Sequence, residues 1–216
     1  MAYIDIQNTF LDRFKRRDCT TAQTQGFIQD AIKRIQRILK VPGNEKQIAI
    51  VLNSSNYFNF GGLQIPGDFL RIKDITYISA ISGIHQVLKR APIAEVYGAI
   101  DYGVTGIVLK YARVVNLWVF GSLPLAGDTV LVNYFSEWQP SLVNNTDDNL
   151  LIDIADDLVV YGALSYACDH WADKRGPMFE QRFLQIISDI QMQGDVDETS
   201  GDAAVGQTFY YPPDHL

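Results

Sequence analysis

The stretch Thr20–Gly43, TTAQTQGFIQDAIKRIQRILKVPG, predicts a long amphipathic helix and therefore a helical core. Thr20 or Thr21 can cap its first turn, and Pro42 with Gly43 ends it. Its apolar residues recur at helical spacing and form one stripe: Phe27, Ile28, Ala31, Ile32, Ile35 and Leu39. A stripe of this width must be buried against other helices.

Three further helices are predicted around this one. A shorter helix precedes it at about Ile4–Phe14, and the helical period returns in Asn149–Lys174 and in Pro177–Gln193. One face of the third helix carries Leu151, Ile154, Leu158, Tyr161 and Ser165, beside the small residues Gly162 and Ala163. We therefore expect Leu158, together with Ile35, to lie in the core of a bundle.

The middle of the chain, about residues 47–139, has a strand period instead. Short β-branched and aromatic runs alternate there with Gly, Asn and Asp turn signals. Clear examples are KQIAIVLN at 46–53, DFLRIKDITYI at 68–78, NLWVF at 116–120 and TVLVNYF at 129–135. This pattern favours a small antiparallel sheet.

Together these segments predict an α+β fold. We expect one domain, residues 1–194, in which a bundle of four helices (about 3–42 and 148–193) carries an inserted small antiparallel β lobe (about 47–139). Residues 195–216 are predicted to form an extended C-terminal tail, because the stretch is acidic and offers little to a core.

Charge is distributed unevenly along the chain. The net charge is −7, yet residues 1–46 carry nine Lys and Arg against five acids. This basic segment either faces an acidic partner or forms a solvated helix face. An acidic protein is not an obvious DNA binder, because phosphate neutralisation requires Lys and Arg. Cys19 and Cys168 are expected to be reduced thiols in a protein made in a cytoplasm.

Targeting and membrane signals are not expected. No apolar run approaches the roughly 18–20 residues of a membrane span. The N-terminal stretch lacks the basic region followed by an apolar run that marks a signal peptide. We therefore expect no membrane association.

Motifs for catalysis or cofactor binding are weak. The sequence has no phosphate-binding GxxxxGK[ST] loop, no dinucleotide fingerprint and no GxSxG elbow. Asp169, His170 and Asp173 form the best candidate for a metal or general-base site, although a polar helix end explains them more simply. Asp153, Asp156 and Asp157 suggest a two-metal nuclease less well than they suggest helix-dipole complementation. We expect no enzyme activity, no catalytic residues, no metal and no cofactor.

Several segments, in order, resemble the phage head–tail adaptor (connector) family, which includes the tail-tubular-protein-A-like adaptors of short-tailed phages. The matching stretches are FIQDAIKRIQRIL at 27–39, IPGDFLRI at 65–72, VVNLWVFGSLPLAGDTVLVNYFSEWQPSL at 114–142 and DDLVVYGALSYACDHWADKRGPMFEQRF at 156–183. Gln29 stands where the family usually has Asn, and Asp156 stands where it often has Pro.

The resemblance implies a structural virion protein at the head–tail interface, assembled in the host cytoplasm. Such a protein forms a homo-oligomeric ring, commonly dodecameric, below the portal protein. It extends the DNA channel without sequence-specific binding and carries a downstream tail or nozzle protein. The alternatives are another tail-completion or baseplate protein and, less well supported, a soluble enzyme or binding module.

The chain ends in VGQTFYYPPDHL, an aromatic cluster beyond the predicted fold. Either this end folds back onto its own sheet, or it belongs to a partner. The resemblance favours docking on the portal. The residues expected to make this contact are Phe209, Tyr210, Tyr211, Pro212, Pro213 and Leu216.

Overall fold

The computed structural model describes residues 2–59, 61–101, 108–138 and 141–199. The chain divides into two compact units. The first, called here the helical unit, consists of residues 1–42 and 142–216. The second, called the β unit, consists of residues 43–141 and therefore interrupts the first in sequence.

The helical unit is built from both ends of the chain. Its helices are α1 (Tyr3–Phe14), α2 (Thr21–Ile38), α4 (Leu150–Ile154), α5 (Asp156–His170) and α6 (Gly176–Thr199). Thr20 caps α2 through a reciprocal pair of hydrogen bonds with Gln23. The predicted stripe of α2 is buried almost throughout, including Ile28 and Ile35.

Helix α5 lies at the centre of this unit, packed against α1, α2 and α6. Gly162 permits the close approach, because a Cβ atom there would lie 3.0 Å from both Ala31 and the ring of Phe183. Leu158 is fully buried, as predicted. The Arg34 guanidinium of α2 binds Glu180 of α6, whose carboxylate also accepts the Ser165 hydroxyl at 2.7 Å.

The β unit consists of two four-stranded sheets. Sheet A has the strand order β1 (Glu45–Val51), β8 (Thr129–Ser136), β3 (Phe69–Ile78), β4 (His85–Val87). Sheet B has the order β2 (Leu63–Gln64), β7 (Leu117–Phe120), β6 (Lys110–Val114), β5 (Lys89–Arg90). The inward side chains of both sheets form one core, including Ile75, Val132, Trp118 and Phe120.

The mixed α+β class with antiparallel sheets is confirmed, but the count of four helices is wrong. Among the described residues there are six α-helices, because α3 (Ile93–Asp101) lies within the β unit and a break at Ala155 separates α4 from α5. The lobe is also not wholly antiparallel, because β5 and β6 are parallel. Helix α6 reaches Thr199, so residues 195–199 are helical where an extended tail was predicted.

Candidate interaction surfaces

Asp173, one of the three residues of the best catalytic candidate in the sequence, makes a structural contact. Asp173 accepts hydrogen bonds from Arg175, with 2.8 Å between Oδ2 and Nη2, and the same guanidinium donates to the Phe14 carbonyl oxygen at 3.0 Å. These hydrogen bonds hold the pKa of Asp173 at about 2, which makes it a poor proton acceptor. Arg175, held in place by Asp173, thus ties the turn before α6 to the end of α1.

His170 and Asp169 lie in different environments, the first against aromatic rings and the second in a groove. The His170 ring packs edge-on against Trp171, with 4.5 Å between centroids, and also contacts Phe27. Asp169 lines a groove of about 510 Å³ between α5 and α6, together with Asp173 and Glu180. Two of these three acidic residues already form ion pairs within the chain: Glu180 with Arg34, and Asp173 with Arg175.

Two acidic residues near the start of α4 and α5 stabilise the local backbone: Asp157, from the second candidate group, and Asp147. Asp157 accepts the Leu158 backbone N–H at 2.8 Å. Asp147 accepts the backbone N–H groups of Asn144 and Val143, and these hydrogen bonds lower its pKa. Within the described parts of the chain, no group of three or more His, Cys, Asp or Glu side chains could hold a metal ion.

Several basic residues of the N-terminal segment form ion pairs within the chain. Arg16 pairs with Asp18, Arg34 with Glu180 and Lys46 with Asp68. Lys33 and Arg37 are exposed on α2, and Lys40 is exposed just beyond its end; Lys33 lies 3.5 Å from Asp30. A solvated helix face accounts for much of the segment, and the exposed side of α2 remains its part available to an acidic partner.

One end of the β unit, called here the loop end, exposes several large apolar side chains and no charged side chain. It consists of residues 51–59, 79–84 and 121–128, which contain a single charged residue, Asp128. Asp128 is fully buried. The large apolar side chains exposed on this end are Val51, Phe58, Ile81, Ile84, Leu123 and Leu125. Clustered exposure of this kind marks interaction surfaces.

Asp128 organises the loop end from inside. Its carboxylate accepts the Ala80 backbone N–H at 2.9 Å, the Leu125 backbone N–H at 2.7 Å and the Tyr77 hydroxyl. Its backbone carbonyl oxygen accepts from the Leu52 N–H at 2.7 Å. Burial, assisted by this carboxylate, raises the pKa of Tyr77 and keeps the phenol protonated. The three loops are therefore held in one arrangement.

Sequence reasoning identified Asp128 as a turn residue and missed the surface that it supports. A signal was present, because the three stretches of the loop end are unusually poor in charge for a chain that is 20% charged. What the sequence could not supply was their proximity, which depends on the pairing of strands distant in the chain.

A comparison with protein families settles the class of the protein. The model of the SU10 adaptor protein family matches residues 1–206. The chain belongs to this family of phage adaptor proteins. The adaptor is thus a structural virion component of the head–tail junction, as the sequence motifs predicted. The finer tail-tubular-protein-A-like assignment stays a prediction. A search of curated proteins gave no match.

The predicted portal-docking residues of the adaptor lie outside the described part of the chain. The structure describes the chain as far as Thr199, and all six residues follow it: Phe209, Tyr210, Tyr211, Pro212, Pro213 and Leu216. They also follow residue 206, the last residue of the family match. Their assignment therefore rests on the sequence argument. Among the described residues, no helix has the length and apolar character needed to cross a membrane.

Proposed function

We propose that the adaptor assembles into a ring below the portal, links the head to the tail and extends the channel through which DNA passes. The observation that carries this proposal is the family match over residues 1–206. An uncharged loop end suits a permanent protein contact, because no charged group must be desolvated there. The net charge of −7 suits a conduit, since repulsion keeps DNA from adhering to its wall.

The aromatic C-terminal end is proposed to bind the portal. From Thr199, the remaining 17 residues of the sequence can reach at most about 55–60 Å. Phe209, Tyr210 and Tyr211 offer apolar area and hydroxyl hydrogen bonds. Pro212 and Pro213 limit the conformations of the free segment, which lowers the cost of ordering it on a partner.

Deletion of Gln207–Leu216 tests this proposal. The truncated adaptor is expected to melt like the full chain and to lose attachment to purified portal-bearing heads, measured by co-sedimentation and by images of negatively stained particles. Replacement of Asp214 by Asn is a control at the same end, and it should retain binding because the aromatic anchor remains. Equal binding by truncated and full-length chains would refute the docking role. A large fall in melting temperature would show that the aromatic end folds back on its own chain.

We further propose that the adaptor works without catalysis. The double variant Asp169→Ala, His170→Ala is expected to enter virions as the parent does. In the parent, the Asp169 carboxylate lines a groove that contains internal ion pairs, and the His170 imidazole packs against aromatic rings. Incorporation is measured by gel densitometry of purified particles. A hydrolytic activity of the parent chain that disappears in a folded double variant would contradict this view.

A further inference from the structure

Sheet A ends in two edges of opposite kind. Strand β1 forms one edge, with seven residues, and the three-residue strand β4 forms the other. Neighbouring strands of this sheet are antiparallel throughout. In a four-stranded antiparallel sheet, the first and last strands run in opposite directions. The β4 edge of one copy can therefore meet the β1 edge of another and continue the same alternation.

Strand β1 presents unpaired backbone groups at its outer side. Leu52, directly after β1, exchanges hydrogen bonds with the β8 side of the sheet, donating to Asp128 and accepting from Gly127. Because an antiparallel strand alternates inward and outward backbone groups, Ala49 and Val51 turn theirs away from β8. The Ala49 N–H and C=O, in register with Leu131 but between two hydrogen-bonded pairs, therefore point to the outer edge of sheet A. The Val51 carbonyl oxygen accepts the Asn56 side-chain amide at 2.7 Å and, at the longer distance of 3.5 Å, that of Asn53.

Strand β4 likewise directs backbone N–H and C=O groups away from sheet A. The Leu88 N–H donates to Ile75 of β3, and the Ile84 carbonyl oxygen accepts from Ser79. The same alternation then turns the backbone groups of His85 and Val87 outward. The Val87 carbonyl oxygen accepts the Gln86 side-chain amide at 3.0 Å, and a carbonyl oxygen can accept a second hydrogen bond.

We propose that β4 of one copy pairs antiparallel with β1 of a second copy, so that sheet A continues across the subunit boundary. This deepens the proposed ring and rests on it. The contact joins two different edges, and such a head-to-tail contact closes into a ring when the rotation between copies permits. It also removes the exposed edges of sheet A, which are otherwise sites of uncontrolled association.

Continuing the cross-strand rows of sheet A across the boundary defines the proposed register. On the outward face of sheet A, one cross-strand row runs Ala49, Leu131, Thr76, Val87, and the next runs Val51, Thr129, Ile78, His85. Extending the rows places Val87 opposite Ala49 of the second copy and His85 opposite its Val51. Val87 and Val51 are more than half exposed in the single chain, and neither row contains an acidic or basic side chain other than His85.

A proline at position 49 removes one of the outward N–H donors while sparing the β1–β8 ladder. An edge strand tolerates proline where the N–H faces away from the sheet. Ala49→Pro is therefore expected to keep the parent's circular dichroism and melting temperature. The apparent affinity of the adaptor for portal-bearing heads should fall by up to about tenfold, as expected for the loss of one intermolecular hydrogen bond at each subunit boundary. The matched control Ala49→Val retains the donor and should bind as the parent does.

Cysteine pairs test the register even if the proline variant fails to fold. In a Cys19→Ser background, Ala49→Cys and Val87→Cys in the same chain should yield a ladder of disulfide-linked oligomers from assembled particles, because directly opposed Cα atoms lie about 5.5 Å apart. Ala49→Cys combined with Val115→Cys, on a highly exposed turn of sheet B, should give none.

The outcomes separate this proposal from the ring itself. A mixture of the two single-cysteine chains should give only a mixed disulfide-linked dimer. Two results would overturn the edge pairing and leave the ring in place. One is the observation of rings by electron microscopy in which the 49–87 cross-link does not form. The other is undiminished assembly of a folded Ala49→Pro chain. Absence of any multimer on heads that bind the adaptor would overturn both.

Discussion

Replacing Leu158 by alanine is expected to lower the free energy of unfolding by about 2–5 kcal/mol, because truncation of a buried leucine loses apolar burial and leaves a cavity. Leu158 is fully buried in α5, which contacts α1, α2 and α6. Ile35 of α2 is buried to the same extent and should give a loss in the same range. Urea unfolding followed by far-ultraviolet circular dichroism measures both changes.

A matched control for this loss exists on the surface of the same unit. Leu184 of α6 is 50% exposed, so Leu184→Ala should change the free energy of unfolding by less than about 0.5 kcal/mol. If Leu158→Ala and Ile35→Ala unfold at the same urea concentration as the parent, α5 is not the centre of the helical unit.

Removing the Asp128 side chain should have a comparably large effect in the β unit. Asp128→Ala leaves the Tyr77 hydroxyl and the backbone N–H groups of Ala80 and Leu125 without their acceptor. Tyr77 is buried, and each buried donor left unpaired costs about 1–3 kcal/mol. We expect a total loss of about 3–5 kcal/mol, with faster amide exchange in residues 79–84 and 121–128.

Two graded variants separate the carboxylate network from simple loss of volume. Tyr77→Phe removes one donor and keeps both backbone hydrogen bonds, so its loss should be about 1 kcal/mol. Asp128→Asn preserves size and one acceptor oxygen, and its loss should fall between the two. Equal stability of Asp128→Ala and Tyr77→Phe would show that the carboxylate does not join the loops.

Local sequence patterns predicted the long elements well. The spacing of Ile28 to Leu39, with the Thr20 cap, predicted α2 almost at its observed bounds. Strands β3 and β7 fall within the predicted runs, and β1 and β8 each extend one residue beyond theirs. Helix α3 escaped notice although Ile93, Val96, Tyr97 and Ile100 have helical spacing. Its nine residues lie inside a region of strand period, which masked the signal.

The third predicted helix shows where a periodic pattern misleads. Leu151 and Leu158 were placed on one continuous face, but the break at Ala155 puts them on separate helices and leaves Ile154 60% exposed. Helix α5 is surrounded by other helices, so its buried residues lie on all sides and no single face stands out. Interaction surfaces were still less accessible to sequence reasoning, because they depend on which edges and loops the fold leaves uncovered.

The insertion of the β unit between α2 and α4 has a consequence for synthesis on the ribosome. The 99 residues from Gly43 to Ser141 take roughly 5–20 s to translate, during which α1 and α2 have emerged without their central partner α5. The β unit contains both of its sheets and can mature in that interval. Until α5 has been synthesised, the apolar stripe of α2 stays exposed to solvent. Nascent chains should therefore bind host chaperones at α2. Overexpression should favour misassembly through this exposed helix.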